Sequence, residues 1–167
     1  MTDEVAAGRL AQISVSPGGV PKQPVSRAAI GPRGVEGDKQ RDRRYHGGPR
    51  RAVCLYSMEH IAALQAEGHP IFPGAIGENL TVAGLDFRTL QVGDRLAVGD
   101  GVLLEITSYT VPCSNLEPFF ADGKFIRVSQ KVHPGWSRFY ARVLQGGQLE
   151  TGQPIRVLPR DPAPTSP

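Results

Sequence analysis

Cys113 is the side chain best suited to soft-metal or nucleophilic chemistry, because of where it falls. It closes the run Val102–Pro112, which reads as a β-strand, and precedes Ser114-Asn115-Leu116-Glu117, a capping-box pattern for a helix start. A thiol between a strand end and a helix N-terminus is expected to favour thiolate, the form that binds soft metals or attacks electrophiles. A small apolar residue ending a strand is the competing reading and stays open on local sequence alone. Cys54, inside the apolar run Ala52–Tyr56, reads as core. Two distant cysteines without paired spacing exclude a disulfide framework and point to a reducing compartment.

The second chemical feature is basic. Between Arg33 and Arg51 seven basic residues face three acidic ones, a net +4, whereas the rest of the chain nets −1 within an overall +3. One local patch suits a compact anion such as phosphate better than a long polyanion. A solvated charged loop is the alternative. The segment also holds Gly31-x-x-Gly34-x-x-Gly37-Asp38 and His46-Gly47-Gly48. The glycines match neither a dinucleotide fingerprint nor a phosphate loop, but they permit turns and close ligand approach to main-chain amides. His46 is favoured as a site residue. His60 and His69, at the two ends of a predicted helix, are expected to be solvated. No C-x-x-C or H-E-x-x-H spacing occurs, so a zinc site is not expected.

The elements that must position these residues are mostly strands. Arg9–Ser16, Val25–Ile30, Arg51–Tyr56, Asn79–Val82, Arg95–Val98, Val102–Tyr109, Arg138–Leu144 and Pro154–Leu158 read as strands. Gly93-Asp94, Gly99-Asp100-Gly101 and Gly146-Gly147 serve as separators. Gly31–Pro49 reads as one long functional loop. A helix is predicted from the Ser57 cap to Gly68, with Met58, Ile61, Ala62 and Leu64 on one face. Further helical stretches are expected after Cys113 and near Lys124–Gln130. With 40% hydrophobic residues, the chain predicts one domain over residues 1–158 and a disordered tail over 159–167. Many short strands with few helices predict a mainly β (α+β) fold, a closed or partly open barrel. No stretch is long and apolar enough to span a membrane, no targeting signal is visible, and a cytoplasmic location is the expectation.

Taken in order, Gly37-Asp38, His46-Gly47-Gly48, Arg51-Ala52-Val53, Pro73-Gly74-x-x-Gly77-Glu78-Asn79-Leu80, Val92-Gly93-Asp94 and Pro112-Cys113 resemble the MOSC domain, from about Arg9 to Leu158. This domain is found at the C-terminus of molybdenum-cofactor sulfurases and in standalone bacterial proteins. The resemblance implies a closed β-barrel, binding of molybdenum cofactor, and one cysteine near a strand end, which Cys113 matches and Cys54 does not. It implies that Arg41, Arg44 and Arg51, with Gly37, Asp38, Gly47 and Gly48, take the phosphate. Glu78, Asn79 and His46 would meet the pterin, and Cys113 would ligate molybdenum, with Lys22 near the site. No pyridoxal-phosphate domain is present in these residues. The expectation is therefore a small reductase of N-hydroxylated compounds that takes electrons from an external donor protein. The runner-up is a carrier of the cofactor, or of sulfur as a Cys113 persulfide. Nucleic acid is disfavoured, because the loop offers only Tyr45 for base stacking.

Overall fold

The computed structural model describes residues 7–39 and 48–160. β1 (Ala7–Val15) buries Leu10 and Ile13 completely and is followed by β2 (Gln23–Val25), β3 (Arg27–Gly31) and β4 (Gly34–Val35). Next come β5 (Val53–Ser57), the helix α1 (Met58–Ala66), β6 (Leu80–Ala83), β7 (Arg95–Val98) and β8 (Val102–Tyr109). β9 (Phe139–Gln145), β10 (Gly147–Glu150) and β11 (Pro154–Val157) complete the described strands. The circuit β1–β11–β7–β8–β9–β5–β6–β1 closes a seven-stranded barrel, sealed by β1 against β11 at Gly8↔Ile155. A closed barrel leaves no unpaired edge along that circuit. Its filling is the expected apolar alternation: Leu10, Ile13, Val53, Leu55, Leu80, Val82, Leu96, Leu104, Phe139 and Ile155.

β5 and β6 are parallel, and α1 supplies the crossover that a parallel pair requires. Ser57 caps α1, its hydroxyl accepting from His60 N–H at 3.0 Å, and Gly68 turns the chain away at φ +98. Both ends agree with the sequence reading.

Four expectations need correction. The strand predicted at Val25–Ile30 is divided at Ser26: β2 pairs with β1, while β3 pairs with β10 in a second sheet ordered β10–β3–β4. Gly146-Gly147 is more than a separator, since Gly147 opens β10, and an added Cβ at Gly146 would run into the Ile30 carbonyl oxygen. The long loop is structured at its start, where β4 folds back on β3. The helical stretches expected after Cys113 and near Lys124–Gln130 are present as short 3-10 turns, Ser114–Phe119, Ala121–Gly123 and Phe125–Val128. Pro118 within the first turn and Asp122 at φ 58 prevent a continuous i→i+4 ladder. The Ser114–Glu117 capping box does not form. Cys113 is itself the N-cap and makes no side-chain cap bond.

Residue 160 also behaves differently from the predicted tail. The Arg160 guanidinium holds the buried Asp94 carboxylate at 2.8 and 3.1 Å and donates to the Thr89 carbonyl. Asp94 in turn accepts from Gln91 N–H. The Val-Gly-Asp motif thus locks its turn to the chain just beyond the last strand. Residues 161–167 lie outside the described residues.

Candidate functional site

The site begins on one face of β9. Phe139 and Ala141 belong to the core, so Arg138 and Tyr140, which alternate with them, turn to the opposite face. Tyr140 sits directly across from Cys54 of β5 in the strand register. Burial pushes the Cys54 thiol up to about 11 and the Tyr140 phenol well above its usual range, so both keep their protons at neutral pH. Cys54 is therefore a packing residue, as its sequence setting predicts.

The Arg51 guanidinium lies 5.7 Å from the Tyr140 ring centroid, a cation–π distance. It is delivered there by the 3-10 turn Pro49–Arg51, which Gly48 enters at φ 83. A register shift in β8 between Ile106 and Ser108 re-aims Thr107, whose hydroxyl contacts the Arg50 carbonyl oxygen. Cys113 follows from the end of β8. Thr110 N–H donates to the Arg138 carbonyl at 3.1 Å, and Ser137 Oγ donates to the Arg138 and Thr110 carbonyls. This stitching holds Thr110 at the start of β9, three residues before the half-buried Cys113.

A second group of expected site residues is built around a buried ion pair. Lys22 Nζ meets Asp38 Oδ2 at 2.7 Å, with side chains only 9% and 5% exposed. Asp38 Oδ1 also accepts from Ser16 N–H, and Lys39 N–H donates to the Ser16 carbonyl. Exposed Gly37, at φ +90, makes the turn into Asp38. Lys22 N–H donates to the Gly74 carbonyl at 2.9 Å. Gly74 must be glycine: φ is +87, and a Cβ would come within 2.6 Å of the Lys22 oxygen.

From Gly74 the chain runs to Glu78 and Asn79, both fully buried. Asn79 is a brace. Its Oδ1 accepts from Cys54 N–H at 3.1 Å and its Nδ2 donates to the Ser14 carbonyl at 3.2 Å, tying β5 and β1 to the start of β6. Glu78 Oε2 accepts from the Thr81 hydroxyl, whereas Oε1 has no hydrogen-bond partner. Burial raises the Glu78 carboxyl to about 7, against the opposing pull of the Gly74 and Glu78 main-chain amides and of Arg138. Arg138 is itself buried. One terminal nitrogen donates to the Ile76 carbonyl at 2.7 Å, but its Nε has no partner, nor does Thr110 Oγ1.

Of the residues expected at the site, Lys22 pairs with Asp38, Gly74 ties Lys22 to the chain leading to buried Glu78 and Asn79, Arg51 lies over the Tyr140 ring, Cys113 is half-buried, and Gly37 and Gly48 stand at turns. Arg41, Arg44, His46 and Gly47 lie outside the described residues. Arg138, Tyr140 and Thr110 escaped the sequence reading. The available signal was an arginine opening an otherwise apolar strand run, Phe139-Tyr140-Ala141.

The two helix histidines are not solvated. His60 is 7% exposed and stacks on Trp136 with centroids 4.4 Å apart, and burial lowers it to about 4. The His69 side chain is 11% exposed, and its Nδ1 accepts from Ala121 N–H at 3.0 Å. Both are covered by the excursion between β8 and β9, whose length along the chain hides the contact from local sequence.

With this geometry in view, the comparisons decide the family. The MOSC domain model matches residues 42–156. The chain belongs to the MOSC domain family. YflK of Bacillus subtilis is 34% identical over 144 residues, covering 85% of this chain and 64% of YflK. A Gibberella moniliformis protein named a reductase is 32% identical over 119 residues, which is 69% of this chain but 21% of that protein. The chain therefore spans less than two thirds of these curated relatives. The crystal structure of YiiM from Geobacillus stearothermophilus superposes with a TM-score of 0.71 at 28% identity, covering 92% of this chain and 76% of that one. Among the described residues no helix is long and apolar enough to cross a membrane.

Proposed function

We propose that this MOSC protein binds the molybdenum cofactor between Cys113 and the Lys22–Asp38 wall and reduces N-hydroxylated compounds, with electrons from a separate donor protein. The observation that carries the reading is the donor set. Among the described residues no three His, Cys, Asp or Glu side chains are grouped to hold a metal ion, while Cys113 stands half-buried where the chain leaves β8. A metal at such a lone thiol must bring most of its ligands with it, as a metal held by a pterin dithiolene does.

The surroundings fit that group. Glu78 Oε1, Arg138 Nε and Thr110 Oγ1 are three buried polar atoms without partners, of the donor and acceptor kinds that a pterin edge satisfies. Arg51, at the end of the basic segment, supplies positive charge for a phosphate. Asp38 holds Lys22 in place, Asn79 fixes the strands that carry Glu78 and Cys54, and Cys113 offers sulfur to the metal. When bound, the cofactor supplies a metal centre that exchanges an oxygen atom and two electrons with substrate. The protein's part is to seat it, orient it and manage protons.

The test is metal analysis and turnover of protein made in a cofactor-competent host and reduced with dithionite or a viologen. Molybdenum near one per chain, with many turnovers of an amidoxime or N-hydroxylated purine, is the expected result. Fully metallated protein that shows no turnover, yet activates an apo-enzyme stoichiometrically, would instead establish a cofactor carrier.

A further inference from the structure

A cleft of about 420 Å³ opens where α1 begins, and none of its lining residues is among those assigned to the cofactor. Its floor is apolar and aromatic. Leu85 and Phe87 are buried there, and Trp136 lines it beside His60, the two rings stacked with centroids 4.4 Å apart. The His60 ring also meets Phe87 edge-on at 6.3 Å. Apolar walls with a few convergent polar groups, around a space of this size, suit a small ring compound.

The polar groups at the rim are mainly acceptors, held by bonds within the fold. Glu59 Oε1 accepts from Gly84 N–H at 2.6 Å, which fixes the carboxylate and leaves Oε2 open. Asp86 accepts from Arg88 N–H and, through both oxygens, from the Arg88 guanidinium at 3.0 Å. Gly135, beside Trp136, must be small: an added Cβ would come within 3.1 Å of the Arg88 side chain, so the two sides of the cleft are fitted to one another. His60 Nδ1 is buried without a hydrogen-bond partner, and burial lowers the ring to about 4, so it is uncharged at neutral pH. Glu59 and Asp86 against Arg88 leave the rim with one net negative charge. Glu59 also offsets the positive end of the α1 dipole.

We propose that this cleft binds a flat organic cation rich in N–H donors, an aryl amidinium or a protonated aminoheterocycle, its ring on the aromatic floor and its donors on Glu59 and Asp86. The rim charge selects a cation over an anion. The rings of Trp136 and Phe87 select a flat aromatic body over an aliphatic amine. Two carboxylates select a head with more than one N–H. Binding here needs neither cofactor nor turnover, so its fate is separate from that of the reductase reading.

Trp136 is the chain's only tryptophan, so its emission reports on the cleft. Benzamidine titrated into the full chain should change that emission saturably, with half-saturation at about a millimolar or below. Benzoate, of nearly the same shape and opposite charge, should leave it unchanged. Glu59→Gln and Asp86→Asn should each weaken benzamidine binding about three- to fivefold. Arg88→Gln should tighten it by a similar factor, because Asp86 is freed and the rim loses its cation; a purely structural role for these residues gives no such gain. Cys113→Ser should bind as wild type does. No saturable change well past that concentration, an equal response to benzoate, weaker binding by Arg88→Gln, or a response lost in Cys113→Ser overturns the proposal.

Discussion

Removing Asp38 isolates the charge of Lys22 inside the protein. The pair is 2.7 Å long, and both side chains are less than a tenth exposed, so Lys22 has no ready access to water when its partner is lost. Breaking such a buried pair from one side costs about 3–5 kcal/mol. Asp38→Ala also strands the Ser16 N–H that Asp38 Oδ1 now accepts, adding about 1–3 kcal/mol if water does not replace it. The expected total is about 4–6 kcal/mol, allowing for partial relaxation. For a chain of this length that lowers the melting temperature by about 10–20 °C. Lys22→Met is predicted to cost less, since Asp38 keeps the Ser16 N–H. Lys22→Met with Asp38→Leu should recover most of the loss, because an apolar pair of similar volume has no desolvation to offset. Urea unfolding of the four proteins gives the coupling directly as a double-mutant cycle. A loss below about 1 kcal/mol for Asp38→Ala, or a double variant as unstable as the sum of the singles, refutes the account of this wall.

Cys113→Ser should abolish one sulfur contact to molybdenum by X-ray absorption while barely moving stability. Cys54→Ser should keep that contact and cost about 1–3 kcal/mol through a buried hydroxyl. Gly74→Ala, at φ +87 against the Lys22 carbonyl, should destabilise by more than about 1 kcal/mol in chemical denaturation. Arg51→Glu should reduce cofactor retention, with some loss of stability from its contact with Tyr140, and the retention difference from wild type should shrink as salt rises. Two pH slopes oppose one another. His60 is lowered to about 4, so the unfolded chain binds the extra proton, and its contribution is lost as pH falls from about 6.5 towards 4. Glu78 is raised to about 7, so the folded chain binds the extra proton, and stability declines as pH rises from about 4.5 to 7. Melting curves of His60→Gln and Glu78→Gln across that range should each lose one slope and keep the other.

What was legible in the sequence was whatever periodicity or order along the chain encodes. Alternation located most of the barrel strands, Ser57 and Gly68 bounded α1, and the ordered motif series identified the MOSC family. What was not legible depends on residues meeting from afar. His60 looks like a surface residue on a helical wheel until Trp136, far along the chain, lies on it. Arg138 reads as a strand's polar entry until its buried guanidinium reaches the Ile76 carbonyl, far back along the chain. Ser114–Glu117 has a good local helix start, yet Pro118 and the positive φ of Asp122 override it a few residues later. Asn79 carries polar atoms suited to a ligand, but in the fold both serve neighbouring strands.

The eight residues between Lys39 and Gly48 are bracketed by fixed points. Lys39 is bonded to Ser16 on one side, and the turn at Arg50 is held by Thr107 on the other. The cost of bringing the ends of that segment together is thus met by the barrel, whatever residues lie between. Exchanging its basic residues for neutral or acidic ones is predicted to change which anion the protein attracts, with the bracketing bonds at Lys39 and Arg50 left in place. A library confined to residues 40–47 would be the place to retune this MOSC protein for a different ligand.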